Sequence, residues 1–261
     1  MRDFTLATYQ QLLETLKTKQ LPIYTFEEVC KNKPSGAYIV LRHDVDAKPE
    51  NSLQTAKLEA ALNIKATYYF RIVKQSNQPE IIKEIAFMGH EIGYHYEDLS
   101  ICNGNAEKAI RNFKENLNYF RQFYPVKTIC MHGSPRSHFD NRNLWQHYSY
   151  REMGIIGEPY LDFLLQNKVI YFTDTGRCWD GEKYNIRDKA EKTMASPLSR
   201  KKIHSTVDLI EWIKQTDIRQ PVMITTHPQR WTNHAENWMK EYVLQSCKNV
   251  VKMLMVSCKK K

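Results

Sequence analysis

Apolar positions along the chain alternate between two rhythms. Tyr9, Leu12, Leu13 and Leu16 stand at helical spacing and predict an amphipathic helix. Thr25-Phe26-Glu27-Glu28 has the form of a capping box and predicts a second, short helix. Tyr38 to Leu41 is a continuous apolar run that predicts a buried strand, leading directly into Arg42-His43-Asp44-Val45-Asp46. Residues 51–63 carry Leu58, Ala61 and Leu62 on one helical face, and residues 66–73 are rich in strand formers. Pro79 and Glu80 open a helix with Ile82, Ile85 and Ala86 on one side, and Gly89 closes it. Residues 91–96 predict a short strand. Residues 105–123 predict the clearest helix, with Ile110, Phe113, Leu117 and Phe120 on one stripe before Pro125. Further strands are predicted at 126–131, near 154–157, at 169–173 and at 221–226. A helix starts at Ser205 with Leu209, Ile210 and Ile213 inward, and another over 235–247 gathers Trp238, Met239, Tyr242 and Val243. Residues 180–203 are charged, lack a period and predict a long loop.

Strands alternating with helices predict an α/β fold built on a parallel sheet. About seven strands fit either a barrel or an open sheet. Residues 1–35 read as a helical extension and residues 36–261 as one α/β domain with a final helix.

The polar residues fall in a telling place. Asp44 and Asp46 follow one predicted strand, His95 ends another, and His132, Asp174 and His227 follow three more. In parallel α/β folds the C-terminal ends of strands share one face, where sites form. Each residue alone has an ordinary reading: Asp46 suits an Asx-turn before Pro49, and a lone His at a strand end is commonly a hydrogen-bonded structural residue. Five strands ending in Asp or His are a different matter. Aspartate with histidine is the donor set of a divalent metal that activates water, with a carboxylate left as base and an imidazole as acid. That combination points to metal-assisted hydrolysis. No Gly-x-Ser-x-Gly elbow, phosphate loop or dinucleotide fingerprint is present.

Six segments, LRHDVD (41–46), ATYYF (66–70), GHEIGYHYEDL (89–99), MHGSP (131–135), DTGRCW (174–179) and TTHP (225–228), stand in the order of the motifs of the polysaccharide deacetylase (NodB-homology, carbohydrate esterase family 4-like) proteins. The chain resembles a divergent branch of that family over about residues 36–230. The resemblance implies a distorted (β/α)7 barrel, a divalent metal, commonly Zn2+, and removal of N- or O-acetyl groups from sugars. It implies Asp44 as catalytic base, Asp46 and His95 as metal ligands and His227 as catalytic acid. The family's second metal-binding His falls on Leu99, so His132 is the substitute ligand of choice, with Glu97 as the alternative; His90 points away. Arg42, His43, Tyr96, Glu97, Arg136, Asp174 and Trp179 are the expected substrate or supporting residues, with Asp174 orienting a His or Arg. Trp231 is a further aromatic that could stack on a sugar.

Composition adds little to this and excludes much. With 42% hydrophobic and 26% charged residues the chain is folded, and no apolar run is long enough to span a membrane. The first twenty residues lack the apolar core of a secretory signal, which predicts a cytoplasmic protein and therefore free cysteines. The six cysteines form no C-x-x-C pair and read as buried thiols. The net charge of +9 favours acidic partners. The expected substrate is an acetylated sugar, free or attached to a nucleotide or a lipid. Peripheral membrane contact stays open, and nucleic-acid binding, with only the net charge and the tyrosine content behind it, is not expected. Hydrolysis of another non-peptide C–N bond, or sugar or lipid-carrier binding without catalysis, are the alternative functions.

Overall fold

The computed structural model describes residues 2–134, 137–165, 169–180 and 203–258. Arg136 and nearly all of the expected long loop lie outside them. Seven strands form one wholly parallel sheet: β1 (Ile23–Tyr24), β2 (Ile39–Val45), β3 (Thr67–Phe70), β4 (Glu91–Tyr96), β5 (Ile129–Met131), β6 (Ile170–Thr173) and β7 (Val222–Thr226). Their spatial order is β5-β4-β3-β2-β7-β6, with β1 paired to the first residues of β2. Among the described residues no ladder joins β5 to β6, so the parallel sheet is present and barrel closure is not seen.

Among the described residues eight α-helices accompany the strands: α1 (Leu6–Thr18), α2 (Phe26–Asn32), α3 (Pro49–Ala61), α4 (Pro79–Phe87), α5 (Asp98–Ile101), α6 (Ala106–Phe120), α7 (Thr206–Gln215) and α8 (Ala235–Cys258). Side chains that satisfy free N–H groups of the first turn start α1, α2, α6 and α7, while α3 and α4 open on a proline. Thr25 with Glu28 and Ser205 with Asp208 form capping boxes, and Asn105 caps α6. Ile110, Phe113, Leu117 and Phe120 are the buried stripe of α6, as their spacing predicts. Gly93 has a packing role: a Cβ there would lie 2.3 Å from the Tyr69 ring, so any side chain would displace that tyrosine from β4.

Strand β2 is the axis of the fold. Every residue of it is buried, as befits a parallel strand covered on both faces. Alternation puts Arg42 and Asp44 on one face and His43 on the other. On the His43 side, helix α3 turns Ser52, Thr55, Ala56 and Glu59 inward. Leu58 and Leu62 are only half-buried and Ala61 is exposed, contrary to the hydrophobic pattern. The reason is polar. The Glu59 carboxylate accepts hydrogen bonds from Tyr68 (2.7 Å) and Tyr9 and pairs with His43 Nε2 (2.7 Å). A leucine there would take the carboxylate away from three buried polar groups.

Other differences are local. Residues near 154–157 form no strand; Gly157 makes an isolated parallel bridge to Thr128. β3 ends at Phe70 because the Arg71 N–H leaves the sheet for Ser76 Oγ at 3.0 Å. Helix α8 continues well past residue 247, and Met239, Tyr242 and Val243 on it are exposed. Of the described cysteines Cys130 and Cys178 are buried, Cys30 and Cys102 are half-buried and Cys247 is exposed.

Glu91 ties the opposite end of the sheet together, accepting from Glu27 N (2.8 Å), Thr67 Oγ1 (2.7 Å) and Thr128. Burial pushes its carboxyl up to about 7, from an ordinary 4.5. The folded state therefore holds a proton that the unfolded chain has released, and this contribution to stability is lost as pH rises from about 4.5 to 7. Glu91→Gln is expected to gain on the wild type across that window by on the order of 3 kcal/mol. Urea unfolding of both proteins at several pH values checks this; a constant difference contradicts it.

Candidate metal centre

The C-terminal ends of five strands bring Asp44, Asp46, His95, His132, Asp174 and His227 into one region. Asp44 is still on β2. Asp46 follows in a turn whose N–H bonds to the Asp44 carbonyl at 3.1 Å. His95 lies on β4, His132 follows β5, Asp174 follows β6 and His227 follows β7.

Each imidazole is held through one ring nitrogen. His95 Nδ1 donates to the Cys130 carbonyl at 2.9 Å. His132 Nδ1 donates to Glu97 Oε2 at 2.8 Å, and His227 Nδ1 donates to Asp174 Oδ1 at 2.6 Å. In the neutral ring that leaves the Nε2 lone pair free, which is how metal-binding histidines are oriented. The three Nε2 atoms converge on Asp46: His132 at 3.5 Å and His95 at 3.7 Å from Oδ1, and His227 at 4.0 Å from Oδ2. Asp46 Oδ1 is itself buried with no hydrogen-bond partner.

These separations are too long for hydrogen bonds. They suit donors sharing one cation, since tetrahedral ligands at roughly 2.0–2.1 Å from zinc stand about 3.3 Å apart. Burial pushes the His95 imidazole down to about 4, so the ring is neutral and able to ligate near neutral pH. Burial raises Asp46, but the three facing imidazoles outweigh it and hold the carboxyl far below its usual range. A second donor set, Asp44, His95 and Cys130, has ligand atoms within 4.8 Å of one another. There, however, both Asp44 oxygens are already engaged: Arg42 Nε donates to Oδ1 at 2.8 Å and Nη2 to Oδ2 at 2.6 Å. Asp46 leaves Oδ1 without a partner while Gln229 Nε2 donates to its Oδ2 at 3.3 Å, so Asp46 with His95 and His132 is an alternative donor set.

The supporting layer is charged and largely buried. Burial raises Asp44, but Arg42 outweighs it and keeps the carboxyl ionised. Arg42 also donates to Tyr160 OH at 3.0 Å. Glu97 is clamped by Arg71 and bonded to His132; burial opposes its charge, yet those partners bring it down to about 2. Asp174 accepts from His227, from Arg230 Nη1 at 2.5 Å and from Trp231 Nε1 at 3.0 Å.

Of the expected substrate or supporting residues, Arg42 is wholly buried and holds Asp44. Others lie away from the cluster. His43 faces α3, bonded to Glu59 and Thr226, so it is neither a spare ligand nor a substrate contact. The Tyr96 ring is in the core with its hydroxyl accepting from Trp145. Trp179 and Trp231 are buried too, their indole N–H groups bonded to Thr206 and Asp174, which leaves neither as a sugar platform. Leu99 is buried on α5 and offers no donor; His132 stands by Asp46 instead. His90, far from the cluster, bonds to Ala56 and Ala66. Sequence reading missed Arg71, Arg230 and Cys130. Arg71 had a signal, since it immediately follows a strand as Asp46 and His132 do.

No family model matches the chain, and no curated protein does. Among solved structures, a family 4 carbohydrate esterase from Bacillus anthracis aligns with 80% of this chain and 74% of its own, at a TM-score of 0.40 and 14% identity. No helix among the described residues is long and apolar enough to cross a membrane.

Glu97→Gln keeps the shape of the residue but removes the charge that faces His132 Nδ1. Its zinc affinity, measured by competition with a chromophoric chelator, is expected to fall about 10–100-fold. An unchanged affinity excludes His132 as a ligand supported by Glu97.

Proposed function

We propose that the chain is a metal-dependent hydrolase that removes an acetyl group from a sugar or sugar-containing precursor. The observation that carries the metal is the buried, unpartnered Oδ1 of Asp46 facing the free nitrogens of His95 and His132. The sugar and the acetyl group come from the motif resemblance. We also read the open path of strands as a barrel interrupted between β5 and β6.

Asp46, His95 and His132 would hold the ion, zinc by its imidazole and carboxylate donors. Once bound, it would supply Lewis acidity, lowering the pKa of a water towards about 7 and polarising a carbonyl. The remaining chemistry belongs to the chain. Asp44 is the base that takes the proton of the attacking water. Its bidentate pairing with Arg42 leaves carboxylate lone pairs available and fixes their direction. The price of so strong a pairing is low basicity, which suits a water already acidified.

His227 is the acid on the leaving sugar nitrogen or oxygen. Asp174 accepts from its Nδ1 and stabilises the ring's charge once Nε2 takes up a proton. Arg230 in turn holds Asp174 ionised, so the Asp174–His227 pair keeps one orientation through the reaction.

Acetate release from acetylated amino sugars tests the reading. Asp44→Asn and His227→Gln are each expected to lower kcat by about 10²–10⁴-fold with metal content retained. Ammonia or a different acid in place of acetate assigns hydrolysis of another C–N bond. Full turnover by both variants sinks the proposed roles.

A further inference from the structure

Helix α8 is built inside out for a helix in water. A surface helix normally turns its apolar stripe inward. Here Glu241 and Gln245 are the buried side chains, while Met239, Tyr242, Val243, Leu244, Val250 and Val251 are each between 49% and 56% exposed. The inward contacts are polar: Lys48 Nζ lies 3.7 Å from Glu241 Oε2, and Asn249 Nδ2 donates to the Gly176 carbonyl at 2.8 Å. These apolar residues are spread over the outer side of the helix among Glu236, Lys240 and Ser246, and no described part of the chain covers them. So large an exposed patch marks an interaction surface.

Charge chooses the partner. Residues 235–261 carry Lys240, Lys248, Lys252 and Lys259 to Lys261 against only Glu236 and Glu241. A second copy seated on this face would oppose lysines with lysines. An anionic lipid surface would be attracted by them and by the chain's net charge of +9. The first turns of α8 have the make-up of a membrane boundary. Trp238 and Tyr242 stack with centroids 5.3 Å apart. Arg177 lies 4.9 Å from the Trp238 ring and 5.8 Å from that of Tyr242, and Arg2 lies 5.8 Å from Trp238. Aromatic rings beside basic side chains favour the headgroup region, and a basic amphipathic helix lies in that plane.

We propose that α8 docks the protein on an anionic lipid surface, its exposed apolar face entering the headgroup and acyl boundary. Lys48 and Gly176, which α8 contacts, lie two residues beyond Asp46 and Asp174. The proposal does not depend on the hydrolase reading, since it concerns another surface and its test needs no turnover.

The purified full chain is sedimented with vesicles of phosphatidylcholine alone and of phosphatidylcholine mixed with phosphatidylglycerol. Binding is expected to the mixed vesicles and to be weak with phosphatidylcholine alone. Val243→Ser combined with Val250→Ser removes apolar contact without adding charge. It is expected to weaken partition at least about tenfold while leaving the circular dichroism melt unchanged, as both residues are exposed. No binding to the mixed vesicles overturns the proposal, as does equal binding of the double variant and the wild type. A dimer that the double variant dissociates, in a protein that ignores vesicles, assigns the face to a second copy and equally overturns it.

Discussion

A carboxylate oxygen taken out of water must be bonded, neutralised or protonated, because burial without compensation is costly. Asp46 Oδ1 has no donor, although the imidazoles of His132, His227 and His95 face its carboxyl. Those rings cannot relieve it as hydrogen-bond donors at 3.5–4.0 Å. A shared cation would resolve the conflict for all of them together. The rest of the site follows from that constraint. His95, His132 and His227 are each pinned by Nδ1 so that Nε2 faces inward, and Glu97 and Asp174 are pinned in turn by Arg71 and Arg230.

The other face of β2 solves a similar problem without a metal. Glu59 is wholly buried, and His43, Tyr68 and Tyr9 complete its coordination by hydrogen bonds. His43 continues the chain of bonds to Thr226 at 2.6 Å, next to His227. The same strand thus has a closed polar network towards α3 and an open one on the Asp44 side. Alternation at Arg42, His43 and Asp44 separates the two. Helix α1 enters this arrangement through Tyr9, whose hydroxyl reaches Glu59.

Much of the fold was legible because its signals are local. The stripe of α6, the capping boxes at Thr25 and Ser205 and the apolar runs of β2 and β7 each follow from neighbours within a turn or a strand. The placement of Asp and His at strand ends was legible too, since parallel strands share a direction. What escaped depends on partners distant in sequence. Nothing around Leu58 and Leu62 says that Glu59 will be the inward residue; that is decided by His43 and two tyrosines. Likewise Arg42 reads as a free cation until Asp44 is placed on its face of β2, and Tyr96 and Trp179 read as sugar platforms until their polar tips find Trp145 and Thr206. Helix α8 misled for the opposite reason: its apolar spacing is real, but the face it makes is turned outward.

The central claim is that Asp46 and the facing histidines exist to hold a cation. Elemental analysis of the protein purified without chelator tests this most directly. About one divalent metal per chain is expected, lost in Asp46→Ala and in His132→Ala although both variants fold. A wild-type protein free of metal that also takes up none from added zinc, or a metal content unmoved by both substitutions, contradicts it.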